Sequence, residues 1–176
     1  MTKALIVIDI QNDYFPGGAM ELVGSTEAAQ VAAGVKASFK TEGLPVFMVQ
    51  HIAQSPTATF FRSGTKGAEL YEQLPLTEGD VLIVKHFPNS FRETTLLTEL
   101  RELGIVDLTV VGMMTHMCID TTVRAANDLG FNVTVISDAC ATRDLSFAGR
   151  TVEAADVQAA YLAALDGSFA AVTTWR

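Results

Sequence analysis

The chain has 176 residues, 49% hydrophobic and 18% charged, with 12 Lys and Arg against 20 Asp and Glu for a formal charge of −8. That length describes one domain, residues 1–176, with a full core, and the lack of any clustered basic stretch argues against nucleic acid or an anionic membrane surface as a partner. No apolar run nears the ~18 residues of a membrane span and no leader pattern opens the chain, so a cytoplasmic location is expected, with both cysteines as free thiols.

Lys3 to Asp9 is a near-continuous aliphatic run, the mark of a strand covered on both faces in a parallel sheet, and it stops at a carboxylate. Gln11 to Gly18 is a turn-rich loop. Ser25 or Thr26 then caps a helix rich in Ala and Val that ends at Gly43, and Leu44 to Gln50 reads as a second buried strand. Residues 51–79 lack periodicity except for a short helical stretch at Ala68 to Leu74. A long irregular stretch in a compact domain points to a functional loop. Its Phe60, Phe61 and Arg62 suit a pocket wall, or equally a loop packed by its own aromatics.

Asp80 to Lys85 is predicted as a third buried strand, ending on a cation. Ser90 and Glu93 have capping-box spacing, although Thr94 or Thr95 could equally start the helix whose Leu96, Leu97, Leu100 and Leu103 share one face before Gly104. Asp107 to Gly112 is the fourth strand, and the helix after it carries Cys118 and runs to Gly130. Phe131 to Ser137 is the fifth strand and Asp138 to Asp144 a polar loop. A helix from Thr151 to Leu165 and a short strand from Phe169 to Thr173 complete the chain.

Strands alternating with helices imply a parallel sheet with helices on both faces, and ligands of such sheets bind beyond the carboxyl ends of the strands. Asp9, Lys85 and Cys118 then arise at one edge and supply a base, an electrostatic clamp and a nucleophile. With Thr115 as N-cap, Cys118 lies in the first helical turn, where the dipole favours a thiolate by up to about 2 kcal/mol and lowers a reference of about 8.5 towards 7. Among the histidines, His116 stands two residues before Cys118, a spacing that does not bring helix side chains face to face. His86 follows Lys85 and points away from it if the strand continues. His51 closes the second strand and ranks below Asp9 as the base, as a pocket or packing residue. Cys140 reads as a buried structural thiol.

These residues carry a family resemblance. Leu5-Ile6-Val7-Ile8-Asp9-Ile10-Gln11-Asn12-Asp13-Tyr14-Phe15 resembles the opening motif of the isochorismatase-like cysteine hydrolases. Val84-Lys85-His86 with Asn89-Ser90-Phe91 resembles their lysine motif, and Val111-Gly112-Met113-Met114-Thr115-His116-Met117-Cys118 their cysteine motif. Val135-Ile136-Ser137-Asp138-Ala139-Cys140-Ala141-Thr142-Arg143-Asp144 resembles a further shared loop, and the match spans nearly the whole chain in the family's order.

The resemblance implies a single-domain Rossmann-like α/β fold of three layers, with a six-stranded parallel sheet of order 3-2-1-4-5-6 and helices on both faces. It implies a catalytic triad of Asp9, Lys85 and Cys118. It also implies a non-proline cis peptide at Met113–Met114, which aims the Met114 N–H, with that of Cys118, at an oxyanion. Nicotinamidase-type members carry an Asp-x-His metal motif after strand two, whereas this chain reads Val49-Gln50-His51-Ile52-Ala53. No metal and no other cofactor are therefore expected, and nicotinamide is disfavoured as substrate. Isochorismatases proper cleave a vinyl ether without the cysteine.

The expected activity is cysteine-dependent hydrolysis of an amide-type C–N bond in a small molecule through a thioester. The alternatives are vinyl ether hydrolysis and a non-catalytic small-molecule-binding member. Phe15, Phe60, Phe61 and Phe87 are expected to shape an apolar pocket. The family habit implies a homo-oligomer, and the Ala-rich last helix could pack on a neighbouring subunit or equally on its own sheet.

Overall fold

The computed structural model describes residues 2–175. Its centre is a parallel sheet whose strands are β1 (Lys3–Ile8), β2 (Val46–His51), β3 (Val81–Lys85), β4 (Asp107–Met113), β5 (Asn132–Ala141) and β8 (Ala171–Thr173), in the order β3-β2-β1-β4-β5-β8. The predicted order of six strands is the observed one, with β8 as the sixth. Helices α1 (Ser25–Thr41), α2 (Leu96–Glu102), α3 (Asp120–Asp128) and α4 (Ala154–Leu165) supply four of the five crossovers, and an irregular loop makes the one from β2 to β3. Between β5 and α4 lies a two-stranded antiparallel hairpin outside the main sheet, β6 (Leu145–Phe147) and β7 (Arg150–Val152).

Alternation along β1 divides the core in two. Leu5 and Val7 enter one cluster with Val35 and Phe39 of α1, while Ala4, Ile6 and Ile8 enter the other with Leu100 of α2 and Val123 of α3. Burial on both faces is why β1 reads as a continuous aliphatic run. The expectation of a fully buried third strand is corrected. As an edge strand, β3 turns Leu82 (42% exposed) and Val84 (43%) outward and Ile83 and Lys85 inward.

Three local expectations also change, and one open alternative is resolved. Residues 68–74 form no helix; the one helical turn of that loop is a 3-10 turn at Lys66–Ala68, and the polar side chains of Gln11 and Asp13 organise the rest. Of the alternative helix starts, Thr95 is the one that precedes α2, and Ser90 is buried against Thr122. The polar loop expected from Asp138 is strand as far as Ala141, because β5 re-registers on β4 after a bulge and pairs Gly112 with Cys140. The last helix begins at Ala154 rather than Thr151, since Thr151 belongs to the hairpin. Among the described residues no helix is long and apolar enough to cross a membrane.

Candidate active site

The strand order reverses between β1 and β4, and the crevice at such a switch point is where ligands bind in open α/β sheets. Asp9 follows β1 directly, with its backbone in the left-handed region at φ 51°. Aspartate tolerates that region better than most residues, and the turn carries the carboxylate over the end of the sheet. Beside it, Gly112 of β4 pairs with Ile8, and a Cβ on Gly112 would lie 2.0 Å from the Ile8 carbonyl oxygen. Only glycine permits this approach, which brings the ends of β1 and β4 together.

Lys85 ends β3, in register with His51 of β2, and its side chain reaches across that strand. Its Nζ lies 2.8 Å from Asp9 Oδ2 and donates to Pro88 O at 2.9 Å. Asp9 and Lys85 both have 0% exposure, and Cys118 has 3%. The thiol adjoins both charged groups. Beyond the ion pair, neither Asp9 carboxylate oxygen accepts a well-formed hydrogen bond among the described residues. His51 Nδ1 stands 3.9 Å from Asp9 Oδ2. The three residues expected to act together are brought together, and His51 joins them.

The charges follow from burial and pairing. Burial alone would raise the Asp9 carboxyl, but the Lys85 ammonium, with help from His51 and the thiol, holds it below the usual carboxylate range. Burial alone would lower Lys85, and the Asp9 carboxylate raises it instead. Burial, with the negative charge of Asp9, pushes the Cys118 thiol well up. The expected drift of Cys118 towards 7 is therefore corrected: the resting site holds an ammonium, a carboxylate and a neutral thiol. Cys140, also buried, is pushed up to about 12 by the same desolvation.

The chain around Cys118 also departs from expectation. The Met113–Met114 peptide is cis, as the resemblance implies, and the departure is that Met114, not Thr115, precedes the first turn. That turn, Thr115–Ile119, is π-helical, with the Met117 and Ile119 N–H groups both donating to Met114 O at 3.0 and 3.2 Å. Thr115 spends its hydroxyl on Ala141 O rather than on a cap. α3 continues from Asp120, and Thr122, one helical turn beyond Cys118, donates to Pro88 O at 3.3 Å and accepts from the Ser90 N–H at 3.0 Å. The carbonyl that holds Lys85 is thus itself held. The spacing from Cys118 to Thr122 is i,i+4, the signal that would have found this residue.

Of the aromatic residues, Phe61 is buried between Tyr14 (ring centroids 4.6 Å) and His51 (5.7 Å), with Phe60 alongside at 5.0 Å. Phe15 stacks on Tyr71 at 3.5 Å and lines a separate cleft with Asn12 and Lys66. Phe87 lies under the Arg92 guanidinium at 3.6 Å. Tyr14 has no place in the expected site, yet it is close enough for Cys118 and Asp9, after burial itself, to raise its hydroxyl pKa.

Residues 51–79 are pinned over this end of the sheet by two polar side chains. The Gln11 amide donates to His51 O (2.9 Å) and Ala68 O (2.7 Å) and accepts from the His51 N–H (2.8 Å). Asp13 accepts from the Phe61 N–H at 2.6 Å.

Asp9, His51 and Cys118 also offer one donor atom each within 4.8 Å of one another, a set that could hold a metal ion. Lys85 already engages the carboxylate that such an ion would need. The donor set therefore fits the ion pair and thiol better than a resident cation.

The six-stranded α/β sheet thus buries a carboxylate, an ammonium and a thiol together at its switch point. The isochorismatase domain family matches residues 3–176, and the chain belongs to that family. An uncharacterized isochorismatase family protein of Bacillus subtilis, YddQ, is 49% identical over 174 residues, covering 99% of this chain and 97% of that one. Nicotinamidase 3 of Arabidopsis thaliana is 29% identical over 154 residues, covering 79% of this chain and 73% of that one. An isochorismatase-family crystal structure from Oleispira antarctica superposes with a TM-score of 0.95 at 45% identity, covering 98% of this chain and 93% of that one.

Proposed function

We propose that the protein is a cysteine hydrolase that cleaves an amide-type C–N bond of a small molecule through a thioester, with no metal. The observation that carries this reading is the Lys85–Asp9 ion pair at 2.8 Å with the Cys118 thiol beside it, all three shut from water. Asp9 accepts the thiol proton as Cys118 Sγ attacks the carbonyl carbon. The Met114 and Cys118 N–H groups receive the oxyanion of the tetrahedral intermediate. Collapse breaks the C–N bond, and the departing amine takes the proton from Asp9. Asp9 then deprotonates water, which attacks the thioester, and the expelled thiolate recovers the proton. Lys85 keeps Asp9 ionised and oriented throughout. Tyr14, Phe60, Phe61 and His51 favour a planar or apolar group beside the carbonyl. A relative named Nicotinamidase 3 supports amide chemistry, and Val49-Gln50-His51-Ile52-Ala53 lacks the Asp-x-His metal motif from which zinc binding would be expected.

The test is a panel of small amides assayed for released amine, with wild type and Cys118→Ala compared. Turnover that falls at least about 10³-fold in the variant, with an acyl adduct on Cys118 trapped by mass spectrometry, supports the reading. An unchanged rate of amine release in Cys118→Ala removes the thioester route, whereas no release from any amide together with vinyl ether cleavage that survives Cys118→Ala favours the ether-cleaving alternative.

A further inference from the structure

We propose that the β6–β7 hairpin is an exchanged arm, and that it seats in the groove between α1 and α4 of a second copy of this chain. The inference is independent of the reaction assigned above.

The arm is built as a well-formed hairpin that, among the described residues, stands largely uncovered. Its two-residue turn, Ala148-Gly149, has positive φ at both positions (49° and 76°), the I′ geometry that matches strand twist. Leu145 is half-buried at the base, and every residue from Ser146 to Val152 is exposed. Phe147 near the tip is 86% exposed. A lone two-stranded hairpin is marginal in water and needs a surface to cover one face. A phenylalanine, which buries about 150–250 Å² when it is covered, is a strong anchor for such a contact.

The groove has the complementary features. It encloses about 420 Å³ beside Val23, Glu27, Asp138, Ala155, Gln158 and Leu162. Val23, on its rim, is a large apolar side chain left 63% exposed. Gln158 donates through Nε2 to Ser137 O and Cys140 O, both at 3.2 Å, while its buried Oε1 accepts nothing among the described residues. Buried acceptors without a donor are uncommon, and an incoming N–H would satisfy this one. Glu27 and Asp138 make the rim acidic, and the arm, which carries no acidic residue from Leu145 to Val152, brings Arg150 next to its turn.

Topology favours a second copy as the occupant. The arm leaves and re-enters the fold at the groove itself, since Thr142 before it and Ala154 after it both line the groove. Each protomer therefore presents arm and groove side by side, the self-complementary arrangement that a two-fold axis closes by reciprocal exchange. Phe147 would enter the partner's groove and Arg150 would meet Glu27 and Asp138 on its rim.

The test is the mass in solution of the full chain by light scattering, over a range of concentrations. The wild type is expected as a dimer or an even multiple. Phe147→Asp and, separately, Arg150→Glu are expected to give smaller species with unchanged circular dichroism, and adding Glu27→Lys to Arg150→Glu is expected to restore the larger mass. A wild type that has the mass of one chain at every concentration overturns the proposal. So does an oligomer indifferent to both Phe147→Asp and Arg150→Glu. Because Phe147 and Arg150 are exposed in the single chain, neither change disturbs the core.

Discussion

Replacing Lys85 with Met tests whether the buried ion pair governs the charge of the site. At 2.8 Å, with an effective dielectric of about 20, the attraction between Lys85 and Asp9 is about 6 kcal/mol. Most of this offsets the several kcal/mol that each ion loses on leaving water, so the intact pair adds little net stability. Removing one partner is different: it leaves Asp9, at 0% exposure, as an uncompensated buried charge, at a cost of about 3–5 kcal/mol at pH 7. In the wild type the Asp9 carboxyl is held below its unfolded value, so its contribution is present above that value and is lost as pH falls through the folded one. In the variant, burial without the ammonium raises the carboxyl above its unfolded value. Protonation then relieves the site on acidification. Urea denaturation at pH 7 and pH 5 should show the variant 3–5 kcal/mol weaker at the first pH and clearly less so at the second. A deficit under about 1 kcal/mol at pH 7, or an equal deficit at both, would refute the argument.

Three further outcomes follow from the geometry. Iodoacetamide at pH 7 should label neither Cys118 nor Cys140 in the native protein and both after unfolding, as read by peptide mass spectrometry, because burial pushes both thiols up; rapid native labelling of Cys118 would contradict the neutral resting thiol. Gly112→Ala should lower stability by at least about 2 kcal/mol by denaturant midpoint, since its Cβ meets Ile8 O and its φ is 129°. Thr122→Val should cost about 1–3 kcal/mol by leaving the buried Ser90 N–H without its acceptor. It should also lower kcat by loosening Pro88 O, the second anchor of Lys85.

What the sequence made legible was what periodicity and punctuation encode. The alternation of strands and helices, the end of α1 before Gly43 and the convergence of Asp9, Lys85 and Cys118 at one edge follow from apolar runs closed by turns. The order of the sheet is instead implied by the family resemblance, and α1 starts after Gly24 rather than on a Ser25 or Thr26 cap. The hairpin was missed although Leu145-Ser146-Phe147 and Arg150-Thr151-Val152 flank a two-residue turn, because a helical reading of residues 151–165 absorbed its second strand. Residues 51–79 were illegible for another reason. Their path is set by Gln11 and Asp13, some forty residues or more away in sequence, and no local pattern reports a bond of that range. The same holds for Ser90, whose capping-box spacing was real but whose partner proved to be Thr122.

The charge of Cys118 shows where motif reasoning must yield to environment. A helix start favours a thiolate by at most about 2 kcal/mol, or about 1.5 pKa units. Full burial opposes ionisation by up to about 3–5 units, and here the adjacent Asp9 carboxylate adds to it. The larger effect wins, so Cys118 rests as a thiol. In the proposed reaction its proton leaves only when the negative charge has somewhere better to go than sulfur. That condition would hold once a substrate carbonyl is in reach and backbone N–H groups can receive its oxygen. Under that proposal Lys85 acts on Asp9 more than on Cys118, by keeping the carboxylate ionised so that it can accept the thiol proton at that moment. The burial that keeps the thiol unreactive then makes its activation depend on substrate.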